Sequence, residues 1–125
     1  ANSDEYADEI AEKFGIKHLY ARHPQSLSEG QKRRVSIAAV VATNPEVLIL
    51  DEPTVGQDYK GLCEMVEVLN RIHEETHNTM ITVTHDKRCA AALCDRSVWI
   101  KDGKTYKTGD KQLIDEFFTI RQDKS

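Results

Sequence analysis

An unbroken apolar run, Val47-Leu48-Ile49-Leu50, ends directly on two acids, Asp51 and Glu52. That pattern constrains the fold more than any other stretch of the chain. Such a run is expected of a parallel strand buried on both faces. In open α/β sheets ligands bind beyond the carboxyl ends of the strands, so a carboxylate pair at this point suits chemistry. About twenty residues upstream stands Leu27-Ser28-Glu29-Gly30-Gln31. Ser28 followed by Gln31 fits a capping box, in which a hydroxyl and an amide side chain satisfy backbone donors at a helix start. The helix is expected to run to about residue 42, with Val35, Ala38, Ala39 and Ala42 at helical spacing and Asn44-Pro45 as its stop. Its first turn presents free N–H groups and a positive dipole end, which favour phosphate.

The remainder of the chain alternates in the same way. A first helix over 4–14 places Tyr6, Ile10, Ala11 and Phe14 along one face, and Gly15 ends it. Residues 16–26 form a connection in which His23, preceding Pro24, is extended. A helix over about 59–76 buries Leu62, Val66, Leu69 and Ile72. Residues 79–84 are β-branched and apolar, the next parallel strand, reached by a right-handed crossover. A short helix over 86–94 follows. Segments 96–101 and 104–108 then flank Asp102-Gly103, a hairpin signal. A helix over 110–120 closes the fold, and 121–125 is expected to fray. The fold class is therefore α/β, with parallel strands and crossover helices in one compact domain at most.

Composition narrows the function. A net charge of −4 argues against a nucleic-acid partner, with Lys32-Arg33-Arg34 a local exception that reads either as a solvated helix face or as a docking surface. The longest apolar run, 37–42, is far too short to cross a bilayer, and the N-terminus lacks a signal-peptide pattern, so any membrane role must come through a partner. Cys63, Cys89 and Cys94 are odd in number and lack metal-site spacing; they fit a reducing cytoplasm and the role of small buried hydrophobes. His73-Glu74-Glu75-Thr76-His77 matches the His-Glu-x-x-His pattern of zinc hydrolases. Against zinc stand the charge of Glu75 between the histidines, the helix end at His77-Asn78, and the absence of a third ligand at a sensible distance. Two histidines near the negative pole of a helix dipole account for the sequence better.

Taken together, the motifs resemble those of ABC-type ATPases. Leu27-Ser28-Glu29-Gly30-Gln31 resembles the family's signature Leu-Ser-Gly-Gly-Gln, with Glu29 departing at the third position. Residues 47–52 look like its Walker B strand and adjoining glutamate, 53–58 like the loop ending in its aspartate (here Asp58), and Thr84-His85 like its switch histidine. The basic run after Gln31 and the Gly56-Gln57-Asp58 form of the loop are most similar to importer ATPases of the energy-coupling-factor or cobalt/nickel type.

The resemblance implies ATP as ligand, with Mg²⁺ held at Asp51 through water. It implies Glu52 as the base that receives a proton from attacking water, and His85 as a donor to the γ-phosphate. Ser28, Gly30 and Gln31 would face nucleotide held by a second ATPase subunit, in a head-to-tail homo- or heterodimer, and Asp58 would be a further nucleotide-binding residue. Transmembrane subunits would be the further partners, and the cytoplasmic face of the cell membrane the location. The family's phosphate-gripping loop, Gly-x-x-x-x-Gly-Lys-Ser/Thr, has no counterpart here: Gly56 and Gly61 have its spacing, but Leu62-Cys63 follows. The chain thus resembles the C-terminal part of a nucleotide-binding domain, a partial P-loop NTPase fold. The expected division is a helical signature subdomain over 1–43, ATPase core over 44–120 and a tail over 121–125, inactive alone. A soluble ABC ATPase of DNA repair or translation carries the same motifs, usually with coiled-coil or tandem-domain context not seen here.

Overall fold

A computed structural model describes residues 3–123, with side chains over 4–120. The chain divides into two compact units, Ala1–Val83 and Thr84–Ser125.

In the first unit, α1 (Ser3–Lys13) buries Ile10 and Ala11, with Phe14 just beyond it, and the chain leaves through Gly15 at φ +69°. The connection is more ordered than a plain linker: two 3₁₀ turns, Lys17–Leu19 and Pro24–Ser26, bury Leu19, and Ile16 is buried beside them. His23 is extended, as the residue before a proline should be, and its Nδ1 accepts from the Gln25 N–H.

Helix α2 (Glu29–Val41) starts with both halves of the expected capping box. The Gln31 N–H donates to Ser28 Oγ at 3.1 Å, and the Ser28 N–H donates to Gln31 Oε1 at 2.9 Å. The buried stripe differs from expectation. Ile37, Ala38 and Val41 are buried, Ala39 is exposed, and Val35 and Ala42 are intermediate. Arg34 supplies the missing member of that i, i+3, i+4, i+7 series, because its long stem packs while its head finds polar partners.

Strand β1 (Val47–Asp51) pairs in parallel with β2 (Thr79–Val83), Ile49 opposite Ile81 and Asp51 opposite Val83. The pairing is as expected, but burial on both faces is not. Leu48 is 1% exposed and Leu50 is buried, whereas Ile49 is 66% exposed. An apolar run states that no position needs water; it does not guarantee a cover for each face.

Between the strands, α3 (Tyr59–Thr76) has the expected bounds. Asp58 caps it by accepting from the Gly61 N–H at 2.7 Å, and His77, at φ 55°, turns the chain out of the helix. Leu62, Met65, Val66, Leu69 and Ile72 form its buried face. Each fully buried aliphatic side chain stabilises by about 1.5–3 kcal/mol. Cys63 sits on the opposite side and is exposed, correcting its assignment as a buried hydrophobe.

In the second unit, Asp86 caps α4 (Lys87–Leu93), which buries Cys89 and Ala90. Strands β3 (Ser97–Lys101) and β4 (Lys104–Gly109) form the hairpin. Asp102 and Gly103 both have positive φ, the geometry a two-residue right-twisted turn requires. Trp99 meets Tyr106 and Phe117 edge-on, at centroid distances of 4.9 and 5.0 Å. Helix α5 (Lys111–Asp123) packs Leu113 and Ile114 inward. It continues past residue 120, so 121–123 of the segment expected to fray are helical, and 124–125 lie outside the described residues.

Candidate functional site

The first turn of α2 and the loop after β1 meet backbone to backbone. A Cβ built on Gly30 would lie 2.7 Å from the Gly56 carbonyl oxygen, closer than real Cβ atoms come. Gly56 itself has φ +84°, a conformation that favours glycine, and its missing Cβ faces the Gly30 nitrogen at 3.3 Å. Both glycines are therefore required by one contact. Gln57 closes it from the side, its Nε2 donating to the Gly30 carbonyl at 2.9 Å.

This contact brings four of the sequence-derived residues to one place. Ser28, Gly30, Gln31 and Asp58 line an open groove of about 290 Å³, together with His18 and Arg34. Two of the side chains have structural duties at the same time. Gln31 Oε1 is engaged in the capping box, leaving its Nε2 group as the donor it can offer, and Asp58 Oδ1 caps α3. Ser28 Oγ accepts a backbone N–H, and its own hydroxyl proton can still be donated.

Asp51 and Glu52 stand at the carboxyl end of β1, as the strand reading requires. Asp51 is exposed, and its carbonyl accepts from Arg33 Nη1 at 3.3 Å. Glu52 is half-buried, with φ 49°, and its N–H donates to the Val83 carbonyl at 2.7 Å. The ladder with β2 thus extends one residue past the strand, and the chain then turns sharply. Among the described residues no three His, Cys, Asp or Glu side chains converge as a metal cage. A cation at Asp51 would complete its shell with water and ligand oxygens, which is how Mg²⁺ is commonly held, so the donor set fits that ion. His85 follows β2 and belongs to the second unit, where it is exposed.

Motif reasoning names Arg33, Arg34 and Gln57 but gives none of them a partner. Arg34 is no solvated helix residue: its side chain is 19% exposed and pairs with Glu64 at 2.9 Å. The other basic residues have partners too, Lys32 with Glu29 one turn away and Arg33 with the Asp51 carbonyl. A glutamine directly after the loop's glycine was the available signal, but its partners Arg34 and Gly30 lie 23 and 27 residues away in sequence. The zinc pattern stays apart from the site. His73 Nδ1 lies 3.3 Å from Asn78 Oδ1, and His77 is the left-handed cap of α3.

The pattern of the ABC transporter family matches residues 2–55. An ABC transporter ATP-binding protein of Methanopyrus kandleri is 46% identical over 110 residues, covering 88% of this chain and 41% of the relative. The energy-coupling factor transporter ATP-binding protein EcfA2 of Enterococcus faecalis is 43% identical over 117 residues, covering 90% and 40%. Among solved structures, a dimeric bacterial ABC transporter cassette superposes with TM-score 0.77 at 31% identity, over 86% of this chain and 46% of that one. The cbiO1 protein of Clostridium perfringens, part of an ABC transporter complex, superposes with TM-score 0.76 at 36% identity, over 98% and 50%. The chain spans about two fifths of the length of the curated relatives it matches. With the fold of the ABC cassettes and these identities along most of its length, the chain belongs to the ABC transporter ATP-binding family.

Proposed function

We propose that these residues work as the signature and Walker B portion of an ATP-hydrolysing subunit that energises import at the cytoplasmic face of a membrane transporter. The observation that carries this is the seating of Gly30 on Gly56, which opens the α2 amino terminus and Asp58 onto one groove. A helix start with free N–H groups attracts phosphate, so the groove suits nucleotide. Relatives named as energy-coupling factor ATPases and a neighbour from a transporter complex favour the importer class. No described helix is long and apolar enough to cross a membrane, so transmembrane partners would supply the path.

In this proposal ATP is the substrate and Mg²⁺, held at Asp51, neutralises phosphate charge. Glu52, at the sharp turn where the chain leaves β1, receives the proton of the attacking water. His85 donates to a phosphate oxygen. Ser28 and Gly30 donate to nucleotide bound by a second, head-to-tail subunit, with Gln31 Nε2 and Asp58 beside them. A dimeric cassette among the structural neighbours supports that pairing. The organisation proposed is a helical signature subdomain over 1–43, ATPase core over 44–120 and a terminal segment over 121–125. None of the 125 residues forms a Gly-x-x-x-x-Gly-Lys-Ser/Thr loop, so the remaining phosphate contacts come from elsewhere in the working subunit.

The test is Glu52→Gln in the full-length subunit. Turnover should fall about 10²–10⁴-fold, because the amide keeps the size of the side chain but cannot act as a base. Mg-ATP affinity, read by titration calorimetry, should stay near that of the parent. A variant retaining more than half the parental rate would exclude Glu52 as the base.

A further inference from the structure

Arg34 and Gln57 make a continuous set of side-chain contacts that the proposed chemistry leaves unused. Gln57 spends both ends of its amide: Nε2 donates to the Gly30 carbonyl at 2.9 Å, and Oε1 accepts from Arg34 Nε at 3.0 Å. Arg34 carries the contact onward. Its Nη2 donates to Glu64 Oε2 at 2.9 Å and to the Gly61 carbonyl at 3.4 Å, and its Nη1 donates to the Phe14 carbonyl at 3.4 Å. A planar guanidinium can serve these separate acceptors at once; a lysine ammonium has no such fork. Gly61 leaves the space in which this happens. A Cβ there would stand 2.7 Å from Gln57 Oε1, 3.0 Å from Asp58 Oδ1 and 3.1 Å from Arg34 Nη2.

We propose that Arg34 and Gln57 are positioning residues that clamp the first turn of α2 to the 56–58 loop. Ser28, Gly30 and Asp58 are thereby presented to nucleotide as one rigid edge. This rests on the ATPase role proposed above; neither residue touches the reacting groups. The clamp links the end of α1, the start of α2, the loop and the first turn of α3, all within the first unit. Releasing it leaves the Gly30 carbonyl and the guanidinium without their shared partner, and the two faces of the groove can drift apart. A displacement of about 1 Å in such a constellation is enough to cost on the order of 10²-fold in rate.

The experiment uses the full-length subunit with Gln57→Met, which keeps length and removes both polar contacts, and with Gly61→Ala, which intrudes on the clamp from behind. Alanine is the better helix residue, so a loss of turnover without a lower melting temperature in Gly61→Ala separates positioning from stability. Hydrogen exchange at the amides of 28–32 and 56–58 should quicken at least about tenfold in both variants, along with a fall of at least about tenfold in kcat and in ATP-driven association. Mg-ATP affinity of the monomer should not change. Arg34→Lys should rescue little of what Arg34→Met loses. The clamp is overturned if both Gln57→Met and Gly61→Ala keep kcat within about twofold of the parent, or if exchange in these segments does not change. If the unmodified subunit neither binds nor hydrolyses Mg-ATP, the ATPase role falls, and the clamp is then judged by exchange alone.

Discussion

Where α2 meets the 56–58 loop, Gly30 cannot gain a methyl group without moving the backbone of Gly56. On the outer face of the β1–β2 sheet, Val47, Ile49, Ile81 and Val83 stand about half exposed or more. Both regions belong to the first unit, and β1 leads directly into that loop. At the junction, contact geometry decides which residue is allowed. On the outer sheet face, only the preference of β-branched side chains for extended backbone is at work. The sequence is selective at the first and permissive at the second, although apolar character alone would rank them the other way.

The largest effect should come from crossing the sheet. Leu48→Ala should destabilise the chain by about 2–5 kcal/mol, since it opens a cavity under a covered position. Ile49→Ala, one residue on, should stay within about 0.5 kcal/mol of the parent. Urea titrations of both variants measure the difference; equal losses would mean that the outer face is covered in solution. At the junction, Gly30→Ala should cost about 1–3 kcal/mol through overpacking against Gly56. That is opposite in sign to the gain of about 1 kcal/mol that alanine brings to an ordinary helix position. A more stable Gly30→Ala variant would break the claim of close approach. The smallest effect sharpens the contrast between covered and open positions. Arg71 pairs with Glu67 at 3.1 Å, much as Arg34 pairs with Glu64 at 2.9 Å, but on an open helix face. Arg71→Ala should cost no more than about 0.5 kcal/mol by thermal melting, and turnover should be unaffected.

The elements that sequence made legible are those with local causes. Ser28 and Gln31 sit three residues apart and cap α2; Asp102-Gly103 turns the hairpin. Each needs only neighbours in the chain, so pattern reading finds them. What stayed hidden depends on distant partners. Leu48 and Ile49 are alike as apolar residues, and only the arrangement of packed elements decides which of them is covered. Arg34 reads as one of three basic residues in a row until α1, α3 and the loop are brought around it. Cys63 reads like Cys89, but the phase of α3 turns it outward. Of the site, the α2 start and the β1 acids were legible because helix caps and strand ends are local events. The clamp that joins the groove was not, since no local pattern links position 34 to position 57.

Glu52 holds a backbone conformation in which glycine or asparagine would rest more easily, at φ 49°. Such a residue stores on the order of 1–3 kcal/mol. If Glu52 is the base proposed above, thermal endurance and turnover favour different residues at this one position. A laboratory lineage bred only for heat tolerance would gain by drifting to glycine here, and would discard its proposed base as a by-product. Improvement of this chain for durability is best sought elsewhere, with position 52 held out of the library.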